Sequence, residues 1–133
     1  FCVRNSGAEA VVEGCGDNGC EYMTGGNAVI LGEVGNNFGA GMTGGMAFAY
    51  DKEGTLPLRI NLEDVFYQQQ MNNYWEEFLI KMIEDYINET NSIYAKNIIN
   101  NWEKEKFLFW QIIPKEMVNK YEQPVLIEDA KIA

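Results

Sequence analysis

The chain has 133 residues, room for one ordinary domain, with 20 acidic against 10 basic side chains and no histidine. A formal charge of −10 argues against nucleic acid or an anionic membrane as partner, and the missing histidine removes the commonest zinc and copper ligand. No apolar run of about 18 residues occurs, so nothing reads as a membrane span, and no signal peptide is visible.

The acidity is spread evenly: residues 1–54 hold two basic and seven acidic side chains, and residues 55–133 hold eight and thirteen. That balance serves solubility more than steering. Glycine is distributed otherwise, since all thirteen glycines lie at or before Gly54. The shift divides the chain into a glycine-rich part, 1–54, and a part rich in Asn, Lys, Glu, Ile and Tyr, 55–133. The first residue is Phe1 and the first methionine is Met23, which predicts a piece of a longer chain or an interrupted reading frame.

The glycine-rich part repeats itself. "MTGG" stands at 23–26 and again at 42–45, nineteen residues on, and "RNSG" stands at 4–7, nineteen residues before the first copy. After these come the strand-like runs "AEAVVEG", "NAVILGE" and "MAFAYDK". Gly16 matches Gly35 and Asn18 matches Asn37 in the intervening segments. A fixed period near twenty predicts a β-solenoid of about two coils. Side chains alternate along a strand, and Glu9 should not point inward. The expectation is therefore Ala10, Val12, Val29, Leu31, Phe48 and Tyr50 inside, with Val29 over Ala10 and under Phe48. Val11, Ile30 and Ala49 would face another protein surface. Gly7, Gly16, Asn18, Gly25, Gly26, Gly35, Asn37, Gly44 and Gly45 are expected at the coil turns, where tight corners favour Gly and Asn, with Asn18 and Asn37 stacked.

Two ligand sites compete with this reading. Gly14, Gly16 and Gly19 spell G-x-G-x-x-G after "AVVE", with Glu33 where a ribose-binding acid would stand. That motif must open a helix, and "CEYMTGGNAV" is a poor one. A calcium-binding β-roll needs a carboxylate in every turn, whereas Asp17 gives way to Asn36 in the next repeat. Cys2, Cys15 and Cys20 are an odd number, and the spacing of Cys15 and Cys20 echoes only one part of an iron–sulfur pattern. They read as reduced structural thiols of a cytoplasmic protein.

From residue 70 the period changes. In 70–89, Trp75, Phe78, Leu79, Met82, Ile83, Tyr86 and Ile87 recur at helical spacing, and Glu76, Glu77, Lys81, Glu84 and Asp85 take the other side. "TNS" (90–92) ends that helix and caps a second, 93–104, with Ala95, Ile98, Ile99 and Trp102 inward. "FLFWQIIP" (107–114) reads as a buried extended segment stopped by proline, "KEMVNKY" (115–121) as one short helix, and the tail after Pro124 as loosely held. Glu76 and Glu77 are adjacent and diverge on a helix, so they read as a solvated face. Trp75, Trp102 and Trp110 read as core, and without histidine no nucleophile–base pair can be assembled, Lys or Glu bases staying open.

"RNSGAEAVVEGCGDNGCEYMTGG", "VILGEVGNNFGAGMTGGMAFAYD" and "TNSIYAKNIINNWEKEKFLFWQIIPKEM" resemble the C-terminal domain of the glutamate synthase large (alpha) subunit, over nearly the whole chain. A formylmethanofuran dehydrogenase subunit shares the glycine-rich part. Two departures stand out: Asn18 where a histidine is common, and Asn91 where the family has the glycine of Thr-Gly-Ser. The resemblance implies a right-handed parallel β-helix, here truncated at its N-terminus, that scaffolds an oxidoreductase making two glutamates from glutamine and 2-oxoglutarate. It further implies no catalytic, cofactor-binding or metal-binding residue here. FMN and the iron–sulfur cluster would belong to upstream domains, and the partners would be the other domains or subunits, with no nucleic acid, membrane or small-molecule ligand. An alternative is a free-standing interaction subunit assembling with separate glutaminase and flavin chains, or an inactive gene remnant. The type of electron donor stays open.

Overall fold

The computed structural model describes residues 1–61, 63–69, 71–118, 120 and 121. Its elements run β1 (Ser6–Val12), β2 (Thr24–Ile30), β3 (Gly44–Tyr50), β4 (Val65–Gln68), α1 (Asn73–Thr90), α2 (Ile93–Asn100), α3 (Trp102–Glu105) and β5 (Phe109–Pro114), with 3₁₀ turns at Leu56–Leu58, Lys106–Leu108 and Lys115–Met117.

The five strands form one mixed sheet in the order β1-β2-β3-β5-β4. β1, β2 and β3 are parallel neighbours. β5 then lies antiparallel to β3, and β4 antiparallel to β5. This corrects the expected right-handed parallel β-helix. The sheet is open, with β1 and β4 as its edges, and β3 is followed across the sheet not by another parallel repeat but by a strand from the far end of the chain. The physical reason lies in "FLFWQIIP". Its apolar run needs a partner on both edges, and the free edge of β3 supplies one: Phe48 pairs with Gln111 and Tyr50 with Phe109.

The expected columns also need correction. Ser6 pairs with Gly25, but beyond a register irregularity Ala10 pairs with Ala28 and Val11 with Val29. The β2–β3 ladder also slips, after Thr24 and Gly44, and beyond that slip Val29 pairs with Phe48. So Val29 sits beside Val11, not Ala10. One residue of slip exchanges the faces of a strand. Val29, Leu31, Phe48 and Tyr50 share a core with α1 and α2, against which Val11 packs. Val12 packs instead on the opposite core, together with Ile30 and Ala49. The apolar column assigned to a foreign surface is thus divided between two faces of this chain's own sheet.

Both faces are covered. On one, the amphipathic stripe of α1 (Trp75, Leu79, Met82, Ile83) and Ala95, Ile98 and Trp102 bury Val29, Phe48, Phe109 and Ile113. On the other, Ala28, Ile30, Ala47, Ala49 and Ile112 are buried by side chains of the glycine-rich connections, among them Cys20, Met23, Phe38 and Met42. Burying both faces explains why β3 reads as a continuous apolar run rather than an alternation.

The helices start and stop where the local chemistry requires. Asn72 caps α1 by accepting from the Trp75 N–H at 3.1 Å, and Ser92 caps α2 by accepting from the Ala95 N–H at 3.1 Å. Asn91 ends α1 in the left-handed conformation, φ 55°, donating its N–H to Ile87 O. The second predicted helix breaks at Asn101 into α2 and α3. Of "KEMVNKY", Lys115–Met117 form a 3₁₀ turn, while Asn119 and the predicted loose tail lie outside the described residues. No helix among the described residues is long and apolar enough to cross a membrane.

Candidate functional site

The two glycine-rich connections, 13–23 and 31–43, lie side by side. Their backbones hydrogen-bond to each other: Cys15 N–H to Glu33 O at 3.0 Å, Asn18 N–H to Asn36 O at 2.9 Å, Gly39 N–H to Gly19 O at 2.9 Å and Tyr22 N–H to Ala40 O at 2.8 Å. Asn18 (φ 61°) and Asn37 (φ 62°) both hold left-handed turns. Asn37 Nδ2 donates to Asn18 Oδ1 at 3.1 Å, and Asn61 Nδ2 donates in turn to Asn37 Oδ1 at 3.1 Å. Asn61 carries no repeat signature, since it follows Asn37 by 24 residues rather than 19. Only its amide chemistry, beside the bridge that pairs Phe38 with Ile60, marks it.

The other expected turn residues fall in two places. Gly16 and Gly35 lie in the connections, where the Gly35 N–H donates to Gly16 O at 3.3 Å. Gly7, Gly25, Gly26, Gly44 and Gly45 are not at corners: they sit inside β1, β2 and β3, at the register irregularities. Close approach selects glycine at Gly25 and Gly44, and at Gly26 (φ 82°) and Gly45 (φ 76°) a positive φ adds to it, whereas nothing lies within 4 Å of a Cβ on Gly7. A Cβ on Gly44 would meet Thr24 O at 2.0 Å.

The competing ligand motifs do not assemble. Gly14, Gly16 and Gly19 precede turns rather than a helix. Asp17 Oδ1 accepts the Asn36 N–H at 2.7 Å, so this carboxylate ties the first connection to the second. Among the described residues no group of His, Cys, Asp and Glu side chains could hold a metal ion.

A cleft of about 160 Å³ opens beyond the C-terminal ends of β2 and β3, lined by Gly32, Glu33, Val34, Tyr50, Asp51 and Tyr94 among others. The side chains of Tyr50, Asp51 and Tyr94 in it are already engaged. Asp51 accepts the N–H groups of Thr55 and Leu56 and the Trp110 indole N–H, each at 3.0 Å. Tyr50 donates to Glu105 Oε2 at 2.5 Å, and Tyr94 donates to Leu31 O. Burial raises both phenols above their ordinary range, and for Tyr50 the Glu105 carboxylate adds to the rise, so both remain protonated donors at neutral pH. Trp75 and Trp102 are buried in the core as read from the sequence, while Trp110 is half-buried and holds Asp51. These hydrogen bonds pin α2 and α3 to the strand ends. Glu13 does the same at the joint between α1 and α2, where its Oε2 accepts from Tyr86 at 2.5 Å and Ser92 at 2.8 Å.

Comparison with known proteins adds what the geometry leaves open. The family described as the GXGXG motif matches residues 1–115. The large chain of glutamate synthase [NADPH] from Azospirillum brasilense is 56% identical over 130 residues, 98% of this chain and 9% of that protein. Ferredoxin-dependent glutamate synthase 1, chloroplastic/mitochondrial, from Arabidopsis thaliana is 51% identical over 114 residues, 86% of this chain and 7% of that protein. The ferredoxin-dependent glutamate synthase of Cyanidium caldarium is 42% identical over 133 residues, 100% of this chain and 9% of that protein. The chain spans less than a tenth of the length of these relatives.

Proposed function

The chain belongs to the GXGXG motif family, and from that premise we propose that it is the C-terminal structural domain of a glutamate synthase, in which glutamine and 2-oxoglutarate yield two glutamates. Its part is to hold other domains or subunits of that enzyme in register, without chemistry of its own. The observation that carries this reading is the 56% identity to a glutamate synthase large chain over 98% of the residues.

Two further observations support it. Relatives named for NADPH and relatives named for ferredoxin match the same segment, so its role belongs to what the two kinds share rather than to the electron donor. Tyr50, Asp51 and Tyr94, which line the cleft beyond the strand ends, are engaged in holding elements together. Cys2, Cys15 and Cys20 form no metal-holding group among the described residues, so they do not fit an iron–sulfur cluster. On this reading FMN and the cluster belong to other parts of the enzyme.

The test uses the complete enzyme. Leu79 is fully buried in the helix-side core, and Leu79→Ala should cost about 2–5 kcal/mol of stability. The scaffold reading expects a lower yield of assembled enzyme and an unchanged KM for glutamine and 2-oxoglutarate in the fraction that does assemble. A changed KM or kcat in fully assembled enzyme would overturn it.

A further inference from the structure

The cleft beyond the C-terminal ends of β2 and β3 is engaged on its inner side and open at its mouth. Its floor is apolar, formed by the buried Val34, Ala49 and Leu56. Tyr94 stands in its wall with 39% of its surface exposed, and the bond from its hydroxyl to Leu31 O holds the ring there. Glu33 and Glu53 line the same cleft and are exposed. Neither carboxylate has an ion pair among the described residues. Asp51 adds a third negative charge. Its three donors are uncharged N–H groups, so none of them offsets that charge. Lys52 is the one basic residue among those that line the cleft, so three negative charges stand against one positive.

We propose that this cleft is the docking point for an arginine side chain presented by another domain or subunit of the enzyme. The inference rests on the scaffold reading above and names the chemistry of one of its contacts. Its place agrees with the general rule that open sheets bind their ligands beyond the carboxyl ends of parallel strands.

Each part of the cleft suits one part of that side chain. An arginine stem lies along apolar surface while its charged head stays in a polar setting, which matches an apolar floor below a rim of carboxylates. The planar head stacks on aromatic faces. Tyr94 offers such a face already immobilised by its own hydrogen bond, so docking has little further ordering to do. The fork of N–H donors fits carboxylates, and Glu33 and Glu53 stand at the rim to accept from it. Lysine would supply the charge without the plane or the fork. At about 160 Å³ the cleft admits one long side chain and no element of secondary structure.

The experiment titrates the purified chain with N-acetyl-arginine amide, read by amide chemical shifts, and repeats the titration with the neutral isostere N-acetyl-citrulline amide. The expected result is a saturable shift at Gly32, Glu33, Lys52 and Glu53. One exposed cation–π contact and exposed ion pairs imply a dissociation constant on the order of millimolar. The citrulline probe should not saturate. Glu33→Gln combined with Glu53→Gln should weaken binding about fivefold, whereas Glu84→Gln, on the exposed side of α1, should leave it unchanged. Equal binding of the two probes, shifts centred elsewhere, or a response that never saturates overturns the proposal. In the complete enzyme the same double variant should lower the yield of assembled protein, while the unfolding midpoint of the isolated chain stays unchanged. Probe binding together with unchanged assembly overturns the partner's arginine as occupant and assigns the cleft to a free guanidinium or ammonium compound. Because the probe is read on the chain alone, its failure leaves the scaffold reading standing. An altered KM in fully assembled Leu79→Ala enzyme removes that reading and leaves the probe result as it is.

Discussion

A methyl group placed on Gly44 would lie 2.0 Å from the Thr24 carbonyl oxygen and 2.7 Å from its carbonyl carbon. These are backbone atoms of the neighbouring strand, so relief requires that β2 and β3 separate locally, which disturbs the ladder joining Thr24 to Gly44. Gly7, another glycine of the repeats, is the counter-example: a Cβ there meets nothing within 4 Å. The two glycines look alike in the sequence and differ because a strand occupies the space beside Gly44. Gly44→Ala should therefore cost about 3 kcal/mol, in the overpacking range, whereas Gly7→Ala should stay within about 0.5 kcal/mol of the parent. Urea unfolding of the two variants measures the contrast, and equal midpoints would show that the β2–β3 spacing is looser than described.

Among the elements, the joint between α1 and α2 depends on Asn91. Its φ of 55° lies in the left-handed region, and its N–H closes the last turn onto Ile87 O at 2.7 Å. One residue later Ser92 begins α2 with its own cap, so there is no slack to move the bend elsewhere. Glycine adopts this conformation without cost and asparagine adopts it readily, but a β-branched residue is strained there by about 1–2 kcal/mol. Asn91→Gly should leave the thermal midpoint within about 2 °C, and Asn91→Val should lower it by several degrees. A similar loss in both would mean that the Asn91 side chain itself carries the joint. This joint also shows what was legible in advance. "TNS" announced the stop and the cap, and the α1 stripe of Trp75, Leu79, Met82 and Ile83 followed from spacing alone, because one solvated side and one buried side leave a periodic trace. The strands were legible as strands, but not their register. The 19-residue repeat of the sequence includes residues absorbed at the irregularities between Ser6 and Glu9 and between Thr24 and Asn27, so columns counted along the sequence put Ala10 where Val11 stands. Nor could the repeat reveal that β5 would close the free edge of β3. That pairing joins segments about sixty residues apart in sequence, and no local pattern encodes it. The Asn18–Asn37 contact is readable from the repeat, whereas its extension to Asn61 depends on tertiary placement.

At the scale of the whole molecule, the sheet is covered on both faces but open at β1. β1 is seven residues long, the other edge strand, β4, only four. Ser6, Gly7, Ala8 and Glu9 are exposed, while their neighbours in β2 become fully buried from Ala28 to Ile30. A long edge strand offers a row of unpaired N–H and C=O groups to any other chain, and a charge on the edge is the usual protection. Glu9 is the one charged residue within β1, and the groove beside it, between β1 and α1, holds Val11 and Met82 along with Asp85 and Glu89. The acidic rim repels a second copy of this acidic chain, yet the backbone edge itself remains available. The purified chain should therefore associate in a concentration-dependent way, more strongly at high salt where the repulsion is screened. Residues 8–12 should exchange their amide hydrogens faster than residues 27–31, because β2 is paired on both sides and β1 on one. Placing a charge on the exposed edge with Ala8→Lys should reduce association without changing the unfolding midpoint. Light scattering across concentration and salt, with hydrogen exchange on the same samples, decides the matter. A monomer at every concentration, with residues 8–12 protected as strongly as 27–31, would mean that the β1 edge is closed by this chain's own residues.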